Sequence, residues 1–254
     1  MATKNSYKKV MSALSKAQGK TITVEDLFNV ALSKIIRINN KQIKELWSQL
    51  IKDVDDKKGQ NDVFVRSHGR NGIGNADLLR VLEAVFGRKF TIDKTNNAKP
   101  KKIIEECCGK DYQDYQISHL FEERTCNPLL FGAPWMICYV PKIIDPFTGH
   151  ESKGFPKLTQ SFISWAFQMN QNYIEKYNSL IIKYWGLLKT HLDNNSYDSR
   201  RRNAMIRALA PLILSYEQLP KAKRNKAYLN LFNDKEPQEW HEFIKMNQFK
   251  EKTN

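Results

Sequence analysis

The sequence predicts an α+β fold that is mainly helical. Three observations carry that expectation. Apolar residues recur at helical spacing through most of the 254 residues. Strand character centres on two short runs, residues 115–120, which alternate weakly, and 135–140, which is aromatic and β-branched. The length allows a sizeable core, as one large domain or two small ones.

Residues 7–18 form the first expected helix, closed by Gly19. Thr23 caps a stronger one, in which Val24, Leu27, Phe28, Ala31, Leu32, Ile35 and Ile36 share a face. Glu25 and Asp26 stand in its first turn, where carboxylates suit the helix dipole. Asn39 and Asn40 break it, and Ile43, Leu46, Trp47, Leu50, Ile51 and Val54 make a third apolar stripe. These stripes read as packing faces.

Residues 63–65 read as a short strand leading into a glycine-rich stretch, 66–75. Gly69, Gly72 and Gly74 let the backbone approach a partner closely. The spacing matches neither a P-loop nor a Rossmann fingerprint. Arg66, Arg70 and Asn71 are candidate DNA contacts, because arginine suits guanine and asparagine suits adenine in the major groove. Asn75 caps the next helix, with Leu78, Leu79, Leu82, Val85 and Phe86 inward and Gly87 at its end. Pro100 opens a short helix that runs to Cys108. Around it a basic cluster that includes Arg88 and Lys89 suits phosphate contact, with Asn97, Lys99 and Lys101 as the candidates.

Between the two central strands, residues 122–128 are too polar for core and too rich in breakers for helix. His119 ends the first strand, Pro134 and Pro141 bracket the second, and a polar turn from Asp145 leads to His150 and Glu151. Residues 158–191 then read as one or two long helices with an aromatic stripe in the core. Asp193, Asn194 and Asn195 end that segment. The last helical region carries Arg200, Arg201, Arg202, Arg207, Lys221, Lys223, Arg224 and Lys226, is interrupted at Pro211, and frays from about Gln248.

The net charge of +14 favours a polyanionic partner, nucleic acid before an anionic membrane. The four cysteines, Cys107, Cys108, Cys126 and Cys138, form no C-x-x-C motif and read as reduced thiols. A zinc site from Cys107, Cys108, Cys126 and His119 has poor spacing. No signal core and no membrane-length apolar run is present, so a soluble, cytoplasmic protein is expected.

Four pieces carry a family resemblance: Gln116-Ile117-Ser118-His119, Asn127-Pro128, Ala133-Pro134-Trp135, and Pro146-Phe147-Thr148-Gly149-His150-Glu151. Together they resemble the HNH, or ββα-metal, nucleases, and more narrowly type II restriction endonucleases with that site. The resemblance covers residues 115–154. It implies a ββα-metal core inserted among amphipathic helices. Residues 1–110 would be a helical, basic DNA-contacting region, 111–157 the catalytic core, and 158–254 a helical region with basic C-terminal helices.

By that resemblance His119 is the general base, a task suited to a near-neutral pKa. A divalent ion would be held by His150, Asp145 and Glu151, and by Ser118, where an aspartate is common in the family. Magnesium suits the carboxylates, while a histidine ligand opens the choice to manganese or zinc. The family's bracing asparagine has two competing positions: Asn127, eight residues after His119, and Met136, seventeen after. Arg124 joins the DNA contacts. The implied function is cleavage of double-stranded DNA at a specific sequence by a homodimer, since palindromic sites favour two-fold pairs. The alternative is a non-catalytic DNA- or RNA-binding protein with a degenerate nuclease motif.

Overall fold

A computed structural model describes residues 4–67, 75–95, 97–110, 112–121, 124–144 and 155–251. The fold is α+β and mainly helical, as the periodicity predicts.

Helix α1 (Lys4–Gln18) ends where Gly19 takes a left-handed φ of 64°. Helix α2 (Val24–Leu32) opens on a capping box: Asp26 N–H donates to Thr23 Oγ1 at 3.0 Å, and Thr23 N–H donates back to the Asp26 carboxylate at 2.8 Å. The expected continuation to Ile36 does not form. Lys34 N–H and Ile35 N–H donate to Ala31 O and Leu32 O, tightening the chain into a turn. Strand β1 (Ile36–Arg37) then joins the central sheet. Helix α3 (Asn40–Asp55) starts beneath Asn39, whose Oδ1 accepts from Gln42 N–H at 3.0 Å.

Strands β2 (Phe64–Arg66) and β3 (Thr91–Asp93) pair in parallel, and helix α4 (Asn75–Phe86) makes the crossover between them. Three residues are too few for β3 to leave a period in the sequence. The Asp93 carboxylate accepts from Thr95 N–H and Lys99 N–H at 3.0 and 2.8 Å, anchoring the start of helix α5 (Ala98–Cys108). Arg88, expected in a phosphate-contacting cluster, is instead buried, donating to the carbonyls of Asp53 and Asn61.

The two central runs form an antiparallel hairpin of β4 (Tyr115–His119) and β5 (Ile137–Pro141), in register from Tyr115↔Pro141 to His119↔Ile137. Strand β1 lies on the far side of β5, which is therefore central and buried at all five residues. Trp135 falls short of the strand because Met136 N–H closes a turn onto Ala133 O at 2.9 Å. Within the loop, Asn127 caps a one-turn helix α6 (Pro128–Phe131) that the breaker-rich sequence concealed.

Helices α7 (Pro156–Met169) and α8 (Gln171–Asp193) meet at the buried Asn170. Its side-chain amide donates to Ala166 O at 2.8 Å, and its Oδ1 accepts from Arg37 of β1 at 2.5 Å. Residues 209–213, with Pro211, separate α9 (Ser199–Ala208) from α10 (Leu214–Glu217); α11 (Lys221–Asp234) and α12 (Pro237–Asn247) complete the chain. One hydrophobic cluster runs through all of this, with Trp47, Trp135, Trp185 and Trp240 each at most 1% exposed.

A buried ion pair ties the hairpin loop to the C-terminal helices. Arg124 donates to the Glu217 carboxylate at 2.6 Å and to the Arg207 carbonyl, and its guanidinium lies 4.4 Å from the Tyr228 ring centre. Tyr228 OH and Arg224 also donate to Glu217. Burial alone would lower the arginine pKa, but the facing carboxylate raises it above its ordinary value. Burial would raise Glu217, but the two guanidiniums hold it below the usual carboxylate range. Both groups are therefore charged at neutral pH.

Removing one partner of a buried pair strands the other. Arg124→Met is expected to lower the free energy of unfolding by about 3–5 kcal/mol in urea titrations. Arg124→Met combined with Glu217→Met should cost clearly less than the sum of the two single losses, and a double loss equal to that sum would mean the pair is not coupled.

Candidate functional site

The far end of the hairpin gathers the residues that the sequence singled out. His119 is the last residue of β4 and pairs with Ile137, the first residue of β5. Met136 stands immediately before that pair, and its carbonyl accepts from Leu120 N–H at 2.9 Å. The hairpin register thus brings His119 and Met136 side by side, although seventeen residues separate them.

The His119 ring is 8% exposed and stacks on Phe131 with ring centres 5.7 Å apart. Its Nε2 lies 3.0 Å from the Phe131 carbonyl oxygen. A carbonyl can only accept, so Nε2 carries the proton and, in the neutral ring, Nδ1 keeps the lone pair. Burial pushes the pKa down to about 4; the Phe131 carbonyl opposes that shift and the charge of Arg66 adds to it. At neutral pH the ring is neutral, with Nδ1 free of a proton, the state that a general base requires. A pKa so low also makes it a weaker base than the near-neutral value the sequence reading assumed.

Asn127 has a visible structural task. Its Oδ1 accepts from Leu129 N–H at 2.9 Å, and its Nδ2 donates to Tyr177 OH at 2.9 Å. That hydroxyl donates onward to the Ala210 carbonyl at 2.9 Å. Leu130 N–H and Phe131 N–H donate to the Asn127 carbonyl. Asn127 therefore fixes the turn whose Phe131 carbonyl meets His119. Met136 is fully buried, so its thioether packs in the core and offers no paired donor and acceptor.

Of the four residues expected to hold a metal, Ser118 is described, and it is half-buried within β4. Asp145, His150 and Glu151 lie outside the described residues. Among the described residues no three His, Cys, Asp or Glu side chains gather in a way that could hold a metal ion. That also disposes of the zinc arrangement of Cys107, Cys108, Cys126 and His119. Burial pushes the Cys126 thiol up to about 12, far from the thiolate that zinc binds.

The expected DNA contacts divide. Arg124 is corrected: it is 3% exposed and committed to Glu217, so it presents nothing to a duplex. Arg66 ends β2 beside the hairpin loop, with its N–H donating to Thr125 O at 3.2 Å and its guanidinium 3.4 Å from Thr125 Oγ1. Asn97 is exposed at the N-cap of α5, and its side chain makes no capping bond. Lys99 lies 6.0 Å from the ring centre of Phe64 on β2. Lys101 is exposed and pairs with Glu105 at 3.7 Å. Arg66, Asn97 and Lys99 thus collect around the β2–β3 pair, whereas Arg70 and Asn71 lie outside the described residues. The Phe131 carbonyl and Tyr177 escaped the sequence reading. A carbonyl carries no residue signature, and Tyr177 sits in an aromatic stripe that reads as ordinary packing.

A family model described as "Uncharacterised protein PM1201" matches residues 38–253. A relative from Pasteurella multocida (strain Pm70), "Uncharacterized protein PM1201", is 35% identical over 188 residues, covering 72% of this chain and 84% of its own length. The chain belongs to this family. No solved structure matches it. No helix among the described residues is long and apolar enough to cross a membrane.

The low pKa of His119 has a consequence for stability. Between pH 6.5, the ordinary histidine value, and about 4 the unfolded chain takes up a proton that the folded ring refuses. Stability therefore falls as pH falls through that window, by about 3 kcal/mol in total. His119→Gln, which does not titrate, should remove that part of the pH dependence when unfolding free energies are compared at the two pH values. Parallel pH profiles for both proteins would show that His119 titrates normally.

Proposed function

We propose that this member of the PM1201 family is a metal-dependent endonuclease of the ββα-metal type acting on double-stranded DNA. The observation that carries the reading is the hairpin itself. A strand ends in His119, the antiparallel strand begins one residue after Met136, and the next described helix in sequence is α7. That is the strand–strand–helix order in which such a site would be assembled. The charge of +14 and the grouping of Arg66, Asn97 and Lys99 around the β2–β3 pair, with Arg66 against the hairpin loop at Thr125, support a polyanionic substrate.

In this reading His119 draws a proton from the attacking water through Nδ1, the nitrogen not engaged by Phe131. Asn127 and Phe131 hold the ring in that tautomer. His150, Asp145 and Glu151 would hold the divalent ion, which supplies positive charge at the phosphate and its leaving oxygen. Sequence specificity and a homodimer belong to the same proposal, since paired cuts at a palindrome call for two copies.

The burial of His119 favours a second reading. A ring that is 8% exposed, stacked and hydrogen-bonded can serve the fold alone. Coupled with Met136 at the brace position, this describes a DNA-binding protein that keeps the hairpin and has lost the chemistry.

Cleavage rates on a labelled duplex with magnesium or manganese separate the two. His119→Ala is expected to lose about 10²–10⁴-fold in rate with little change in DNA affinity. Met136→Asn is expected to raise the rate, by up to about 10² if the base is now loosely held. Because Met136 is fully buried, the new amide must find partners or cost about 1–3 kcal/mol, so unfolding midpoints are measured alongside. Cutting by His119→Ala at the wild-type rate would remove His119 from the mechanism. Met136→Asn without effect, beside a loss of cutting in Asn127→Ala at temperatures where that variant is folded, would make Asn127 the brace.

A further inference from the structure

An open cleft of about 660 Å³ lies between the first half of α3 and the junction of α7 with α8. None of the described residues expected in the site lines it. Lys44 and Lys176 flank it, Trp47 and Tyr173 wall it, and side-chain amides, among them Asn40 and Asn172, supply most of its polar lining. None of the eleven lining residues is a carboxylate. Neither lysine makes an ion pair among the described residues; Lys176 instead lies 5.3 Å from the Trp47 ring centre. The Gln171 amide at its edge donates to the Glu175 carboxylate at 3.2 Å; two ammonium groups that meet no acid among the described residues still favour an anion in the cleft itself.

A further feature points the same way. The N-terminus of α8 opens here without a side-chain cap, so its first N–H groups are suited to phosphate oxygens. Trp47 packs edge-on against Trp135 at 5.7 Å, and Trp135 directly precedes Met136. The cleft therefore backs onto the same end of the hairpin as His119. It is open at the surface, which suits a passing polymer better than a small enclosed ligand.

We propose that this cleft is a phosphate-backbone subsite for DNA, with Lys44 and Lys176 each neutralising a phosphate and the amides and the α8 N-terminus fixing the strand's path. The proposal rests on the reading of the chain as a DNA-acting protein. It extends the contact surface from the residues around β2–β3 to the α3–α8 cleft.

The test is the salt dependence of binding to a fluorescein-labelled random-sequence DNA duplex, followed by anisotropy without divalent metal. Each lost phosphate contact removes about 0.9 from the slope of log affinity against log salt. Lys44→Gln with Lys176→Gln is expected to lower the slope by about 2, with an unchanged thermal midpoint because both side chains are exposed. Lys223→Gln with Lys226→Gln on α11 removes the same charge elsewhere. An unchanged slope in the cleft variant overturns the subsite, as does an equal fall in the α11 variant, which would mean diffuse attraction. A wild-type chain with no salt-dependent duplex binding removes the DNA reading itself, and the subsite with it.

Discussion

The buried pair of Arg124 and Glu217 is the constraint on which the rest of the site depends. The loop between β4 and β5 has to enter the interior, because Asn127 and the turn of α6 set the carbonyl that meets His119. A loop of that polarity stays inside only if its charges are matched. Arg124 finds Glu217 ninety-three residues away, and Asn127 finds Tyr177 across fifty. The C-terminal helices thus clamp the hairpin from outside it. A buried pair of this kind contributes little net stability compared with apolar packing, but it penalises any arrangement that separates the partners. Its value here is positional: it fixes where Phe131 presents its carbonyl.

That clamp shapes the chemistry open to His119. Holding the ring with Nε2 as donor selects one tautomer, which a base needs, and enclosure lowers its pKa, which weakens the base. The two effects pull in opposite directions. Water and phosphate must reach Nδ1 for any hydrolysis to occur, so DNA engagement would have to open the hairpin end. The packing of Trp47, Trp135 and Tyr173 links that end to the α3–α8 cleft. A strand held in the cleft and a strand cut at His119 would then be read by one continuous piece of structure.

Much of the fold was legible because helices longer than two turns leave a period. The stripes over α2, α3 and α4, the cap at Thr23 and the closing Gly19 and Gly87 all stand where local chemistry puts them. Short strands are different. β1 and β3 exist through pairing with distant partners, at Tyr139 and Cys138 for β1 and across a crossover for β3, and two or three residues carry no alternation to read. The candidate site divides on the same line. His119 and Met136 could be related by strand register alone, a local rule. The burial of Arg124 could not, because Glu217 stands far along the chain, and an arginine in a polar loop reads as surface until its partner is known. The α3–α8 cleft was hidden for that reason too: Lys44 and Lys176 are unremarkable until two helices are packed together.

Whether this family cuts DNA is decided most directly by the wild-type protein and a supercoiled plasmid, with magnesium or manganese present and then chelated. Nicked or linear products that vanish on chelation are the predicted result. A salt-sensitive mobility shift with the plasmid intact in both metals would contradict the nuclease and leave a binding protein in its place.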